Sequence, residues 1–221
     1  MRCSTVSAKY PRSYHLPWSP GGTRDDKRMK SVSGLCGVPN VITEKLDGSN
    51  LALTREAVYA RSHSGPPSHP SFAWAKALQA RIGGLIEPGV TLFGEYCYAV
   101  HSIAYEALPS YFFLFGVRDN AADSWWPWEM VATQAEDLQI PTAPVLFRGT
   151  VGELAPLTAR LAAAPSVYGG EREGLVARVE RGFAGSEFGN VVGKYVRAGH
   201  VQTEEHWMFQ EIRVQFGPAR S

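Results

Sequence analysis

Apolar positions along this chain come in short runs separated by glycine and proline, and the spacing of these runs changes from one stretch to the next. Val41-Ile42 and Leu51-Ala52-Leu53 flank a polar octet, Thr43-Glu44-Lys45-Leu46-Asp47-Gly48-Ser49-Asn50. That pattern predicts two strands meeting at a tight connection, with Gly48 taking an unusual backbone angle. Residues 51–53 and 57–60 predict a hairpin ending at Arg61, and Gly65-Pro66-Pro67 then breaks the chain. Phe72, Ala75, Leu78, Ile82 and Leu85 recur at helical spacing, with Ser71 placed to cap the helix. Residues 90–96 predict a strand in which Glu95 is the lone charge. Residues 111–117 form the most apolar run and predict a central strand. Beyond them the pattern predicts a helix from the Trp125-Trp126-Pro127-Trp128 cluster to about Leu138, and a short strand over 145–147. A helix over 151–164, strands ending at Arg178 and Arg197, and a closing helix over 203–214 complete it. The mixture indicates an α+β fold.

Residues 9–28 fit neither period. Their three prolines and two glycines predict an irregular N-terminal arm over residues 1–30, rich in Tyr10, Tyr14, His15, Trp18 and cations including Lys9, Arg12, Arg24, Lys27 and Arg28. Aromatics interleaved with cations suit bases and phosphates, and an arm wrapped over the core fits the same residues. At 221 residues the chain can form a single domain with one sizeable core. Its net charge of +1 gives no global basic signature, so any nucleic-acid contact has to come from a local patch. Three widely spaced cysteines, Cys3, Cys36 and Cys97, argue against a disulfide framework or a zinc site and fit a reducing cytoplasm. There is no apolar signal region at the N-terminus and no run of membrane-spanning length, so a soluble cytoplasmic protein with no membrane association is expected.

Lys45 is the residue with the most chemical potential. An amine attacks only when unprotonated, and an ordinary lysine is unprotonated in roughly one molecule in 2,500 at neutral pH. Glu44 and Asp47 favour the ammonium, so a nucleophilic Lys45 requires activation by burial, by cations elsewhere in the chain or by a bound metal.

Four segments in order carry a further pattern: K-L-D-G-S-N at 45–50, F-G-E-Y at 93–96, E-G-L-V at 173–176 and G-K-Y-V-R at 193–197. Together they resemble the covalent nucleotidyltransferases, the superfamily of ATP-dependent ligases and mRNA capping enzymes. Glu44 before the lysine, Asn50 after it and the tail K-Y-V-R-A-G-H-V-Q-T-E-E-H-W-M are most similar to RNA ligases of the type 2 kind and to small bacterial and phage RNA ligases. The resemblance implies an ATP-grasp-like domain with mostly antiparallel sheets flanking an ATP cleft, spanning residues 1–221 with no C-terminal OB domain. It implies that Lys45 is the nucleophile that carries AMP and that Lys194 faces the α-phosphate. Glu44 would lie beside the adenine, Asp47, Gly48, Asn50 and Arg61 around the phosphates or the RNA end, and Glu95 on a ribose hydroxyl. Phe113 or Phe115 would stack on the base, and Glu173 would hold Mg²⁺ or Mn²⁺. RNA ends and ATP would be the partners, with a protein of a repair pathway as a further one. A DNA ligase, a GTP-using capping enzyme and a non-catalytic binding module share the scaffold. One departure stands out. Many relatives carry two lysines separated by one residue in the last motif, but Val192 and Val196 flank Lys194 at that spacing. Arg197 is the expected second cation.

Overall fold

The computed structural model describes residues 9–22, 26–62, 65–200 and 212–215. Two mostly antiparallel sheets dominate it. The first contains β1 (Tyr14–His15), β2 (Pro39–Lys45), β8 (Val145–Thr150), β9 (Gly174–Val179) and β11 (Val192–Val196), in the order β1-β11-β9-β2-β8. The second contains β3 (Ser49–Leu53), β4 (Val58–Ala60), β5 (Val90–Tyr96), β6 (Phe112–Asp119), β7 (Ser124–Trp125) and β10 (Phe183–Ala184), in the order β10-β7-β6-β5-β3-β4. Every pairing is antiparallel except that of β1 with β11.

Alternation explains which faces are covered. Leu51 and Leu53 of β3, Leu92 of β5 and Phe112 and Leu114 of β6 are buried with Ala75, Leu78 and Ile82 of α1 (Ala73–Ile82) and Val131 and Ala135 of α2 (Trp128–Asp137). On the other sheet, Ile42, Leu175, Ala177 and Val179 share a cluster with Leu154 of α3 (Leu154–Ala162). A four-residue helix, α4 (Phe188–Val191), leads directly into β11. The 111–117 run is an interior strand, as its apolarity predicts.

The strands around Lys45 meet at the expected tight connection, without the expected backbone angle at Gly48. β2 and β3 do not pair with each other; the connection carries the chain from one sheet to the other. Gly48 does not have a positive φ. A side chain there would put its Cβ 2.7 Å from the Tyr96 carbonyl oxygen and 3.1 Å from Cys97 Sγ, so close approach of the end of β5 requires the glycine. The start of α1 also differs. His69, whose Nδ1 accepts from the Ser71 amide, supplies the side-chain cap in a 3₁₀ turn preceding the helix, and Leu85 is exposed. Most of the expected closing helix lies outside the described residues, while Val214 forms an isolated bridge with Ala99.

The N-terminal arm is bonded along β11. Leu16 donates to the Lys194 carbonyl and Gly21 to the Val196 carbonyl, and Trp18 Nε1 donates to Thr158 Oγ1 of α3 at 2.9 Å. His15, Leu16 and Leu35 are fully buried. The prolines prevent a long strand, yet the segment buries His15, Leu16 and Ser19. No helix among the described residues is long and apolar enough to cross a membrane.

Candidate active site

The two sheets enclose a cleft, and Lys45 lines it where β2 ends and the chain crosses between sheets. Across the first sheet Lys45 is in register with Gly174, which brings the preceding Glu173 beside it. A Cβ at Gly174 would lie 2.0 Å from the Tyr195 carbonyl oxygen, so only glycine lets β9 and β11 come this close. Lys45 Nζ lies 2.6 Å from Glu173 Oε1. Burial of the amine lowers its pKa, but Glu173, followed by Glu95 and Asp47, outweighs this and holds it above the ordinary lysine range. The lowered pKa expected from neighbouring cations is therefore absent, because the nearest charge is a buried carboxylate. Lys194 is in register with Val176 and lines the cleft; burial, reinforced by the charge of Lys45, lowers its pKa.

Asp47 is fixed by the loop after β5. Its Oδ2 accepts from the Ser102 amide and hydroxyl, both at 2.8 Å, and from the Ile103 amide at 2.7 Å. Its other oxygen faces His200, whose Nε2 lies 3.7 Å from Asp47 Oδ1 and 3.4 Å from Glu173 Oε1. Glu173 Oε2 is buried with no hydrogen-bond partner. Each of Asp47, Glu173 and His200 has a ligand atom within 4.8 Å of the others, so these three can hold a metal ion. Two carboxylates and one imidazole suit a hard or borderline divalent cation. Burial raises the pKa of Glu173 to about 7 and lowers that of His200.

Asn50 and Glu95 are directly opposite each other on β3 and β5, and both line the cleft with Gly48 and Arg61. Burial raises the pKa of Glu95 to about 8. Phe115 lines the cleft at a bulge, where the β5–β6 register shifts between Phe93 and Gly94. Phe113 is outside the lining, fully buried with Leu46, Cys97, Tyr105 and Leu108 and 5.2 Å from the Tyr168 ring. Glu44 lines the cleft and is tied down, with Oε2 3.2 Å from Arg172 Nε and accepting from the Val167 amide at 3.1 Å. Arg197 is outside the lining and paired with Glu171 at the surface. Arg197 follows the end of β11 at Val196.

Several lining residues were not singled out as site residues from the sequence. His200 follows Gly199 just beyond the last motif, and its signal was a lone histidine after a cationic strand. His101 lies near Ser49 Oγ, at 3.4 Å. Arg178 is in register with Val192, donates to the Val179 and Trp126 carbonyls, and lies over the Phe183 ring. Burial lowers its pKa to about 10. Tyr10, Arg12, Ser13 and Asp26 come from the arm. Alternation in short strands does not reveal which of these residues face the cleft.

The RNA ligase family model matches residues 38–196, and the chain belongs to that family. Among solved structures, Naegleria gruberi RNA ligase superposes in several forms. A lysine-to-alanine mutant with ATP and Mn gives a TM-score of 0.61 at 17% identity, covering 88% of this chain and 60% of that one. The same ligase with PPi gives 0.58 at 19% identity, covering 86% and 61%. A glutamate-to-alanine mutant with AMP and Mn gives 0.60 at 16% identity, covering 87% and 56%. The chain thus spans about three fifths of that ligase, and at these identities the likeness concerns the fold. No curated protein sequence matches the chain.

Proposed function

We propose that this chain is an ATP-dependent RNA ligase that joins 5′-phosphate and 3′-hydroxyl ends through a lysyl-AMP intermediate on Lys45. The observation that carries this reading is the placement of Lys45 in the cleft lining, 2.6 Å from Glu173, beside a trio able to hold a metal and with Lys194 in the same lining. On this reading residues 1–221 form one nucleotidyltransferase domain of ATP-grasp-like architecture, acting in the reducing cytoplasm.

In the first step Nζ of Lys45 attacks the α-phosphorus of ATP, an N–P bond forms, and the bond to the bridging oxygen breaks to release pyrophosphate. The amine must first lose its proton. Glu173 Oε1, in contact with the amine, is the nearest acceptor for that proton. Lys194 and Arg61 neutralise charge on the phosphates as pyrophosphate leaves. Asp47, Glu173 Oε2 and His200 would hold a divalent metal, which when bound supplies positive charge to the phosphates. Glu95 and Asn50, side by side across β3 and β5, are placed to bond the sugar or phosphate oxygens. AMP then passes to the RNA 5′-phosphate, and attack by the 3′-hydroxyl joins the ends and releases AMP.

The test is incubation with ATP or GTP labelled at the α-phosphate, with Mg²⁺ or Mn²⁺. Covalent label from ATP on Lys45, discharged onto 5′-phosphorylated RNA, is expected. Label from GTP alone, label on another residue or no covalent label would each refute the reading.

A further inference from the structure

The family match begins at residue 38, yet one wall of the cleft is built from residues before it. The arm is held there by pairing, not by loose contact. Tyr14 and His15 align with Gly193 and Lys194, so the arm is in register with the strand that brings Lys194 to the cleft. Tyr10 and Pro11, just before this paired segment, line the cleft. The Tyr10 ring lies 5.2 Å from Phe93, 5.1 Å from Phe115, 5.5 Å from Trp125 and 5.3 Å from Phe188, with interplanar angles from 55° to 88°. These are tilted and edge contacts, the geometry aromatic rings prefer when they fix one another. The hydroxyl is bonded to the Ser13 side chain, and burial raises its pKa to about 12, so it is neutral under ordinary conditions.

The cleft therefore has two chemically distinct parts. Lys45, Asn50, Arg61, Glu95 and Lys194 make one part charged and polar, and Tyr10, Phe115, Trp125, Phe183 and Phe188 make the other aromatic, with the Arg178 guanidinium over the Phe183 ring as a cation within it. A nucleoside triphosphate has the same division, with a charged tail and a flat base. The tail belongs with Lys45 and Lys194, which leaves the aromatic part for the base. We propose that the N-terminal arm completes the nucleotide pocket, with Tyr10 as the aromatic wall against which the adenine base packs. The proposal rests on reading the cleft as an ATP site. It gives residues 9–15 a role that the strands matched by the family model do not supply.

The alternative is that Tyr10 only fills the space between four rings. Two substitutions in the full chain separate these possibilities. Tyr10→Leu keeps apolar volume against Phe93, Phe115, Trp125 and Phe188 but removes the flat face, whereas Tyr10→Phe keeps the face and loses the hydroxyl. The experiment follows the rate of covalent AMP attachment against ATP concentration and, separately, inhibition by pyrophosphate, which has no base. If Tyr10 packs on the base, Tyr10→Leu raises KM for ATP by about tenfold with little change in the maximal rate, as expected for loss of one base–aromatic contact. Tyr10→Phe then behaves like the wild type, and pyrophosphate inhibits all three proteins equally. An unchanged KM in Tyr10→Leu overturns the proposal. So does a lower KM, which would mean that the ring occupies the base's place, or a parallel weakening of pyrophosphate inhibition, which would mean general distortion. If the wild type takes no label, the ATP reading itself fails and the proposal fails with it. A labelled wild type with an indifferent Tyr10→Leu variant refutes the arm's role alone.

Discussion

Two regions of different construction meet at this cleft. The strands β2, β5, β9 and β11 hold Lys45, Glu95, Glu173 and Lys194 through hydrogen-bonded register, so a side chain's position follows from its place in a ladder. The arm has two residues of strand and otherwise depends on long-range contacts: Leu16 to Lys194, Gly21 to Val196, Trp18 to Thr158 and Tyr10 to four rings. Both contribute residues to the same cleft. Repetitive hydrogen bonding thus places the reacting groups, while an irregular, proline-rich segment can be added to one edge without disturbing them. On this view chemistry belongs to the strands, and the arm contributes to nucleotide binding and to stability.

The sharpest division is expected at Lys45. Lys45→Ala should abolish covalent labelling at any ATP concentration, whereas changes in the arm leave label recoverable at high ATP. The same variant reports on the pair. Without the ammonium, Glu173 is a buried carboxylate with a pKa raised further above its unfolded value. A group of this kind is stabilising while protonated, and its contribution falls as pH rises from about 4.3 through the folded pKa. The stability deficit of Lys45→Ala relative to the wild type should therefore be small at pH 5 and larger at pH 8, measured by thermal unfolding. A deficit that did not change with pH would mean that the contact at 2.6 Å is not an ion pair in solution.

Within the strand region the two glutamates should separate. Glu173 contacts Lys45 and His200 and belongs to the metal trio, so Glu173→Gln removes a charge that several groups share. A loss of about 100-fold or more in adenylylation is expected, together with a shift in the Mn²⁺ concentration required. Glu95→Gln keeps a hydrogen-bonding group opposite Asn50 and should lose about tenfold or less, with an unchanged metal titration. Equal losses with identical titrations would remove the distinction.

How much of this was legible in the sequence follows the same division. The order of strands carrying Lys45, Glu95, Glu173 and Lys194 could be read because each lies in or beside an apolar run with a glycine at a close approach. The tight connection at Gly48 was legible, but apolar runs around a turn look alike whether the strands pair or part into different sheets, and the glycine answers a close approach and not an unusual backbone angle. Phe113 and Phe115 were indistinguishable by alternation, since the bulge opposite Phe93 and Gly94 changes which residues reach the cleft. His200 and Tyr10 had no periodic signal at all. Their positions depend on contacts with residues more than 25 positions away, which local spacing does not encode.

His15 tests whether the arm is built into the fold. Its side chain is fully buried, with Nδ1 2.9 Å from Ser19 Oγ, and burial together with Lys194 lowers its pKa to about 4. The folded value lies below the unfolded value of about 6.5, so the unfolded chain takes up a proton first and stability falls as pH drops through this window. Between pH 7 and pH 5 the wild type should lose about 2 kcal/mol more than His15→Gln. Denaturant titration of both proteins at the two pH values measures the difference. Equal losses would mean that the arm opens before the rest of the molecule unfolds and is not an integral part of it.

The smallest effect is expected at Arg197, where two readings of one motif differ most. By spacing, Arg197 is the natural replacement for the second lysine, because Val192 and Val196 occupy the positions two residues to either side of Lys194. In the structure its guanidinium pairs with the exposed Glu171, and its amide donates to the Glu173 carbonyl at 3.0 Å, a bond that any residue except proline makes. The side chain is therefore engaged at the surface while the backbone helps position the strand bearing Glu173. An exposed pair of this kind contributes about 0–1 kcal/mol, so Arg197→Ala should leave both stability and KM for ATP within about threefold of the wild type. Lys194→Ala, by contrast, removes a cation that lines the cleft and should slow labelling by about 100-fold. Assaying the two variants side by side decides which residue serves the phosphates. A large loss in Arg197→Ala would show that this arginine leaves Glu171 and swings into the cleft when nucleotide binds, restoring the paired cations that the motif's spacing suggests.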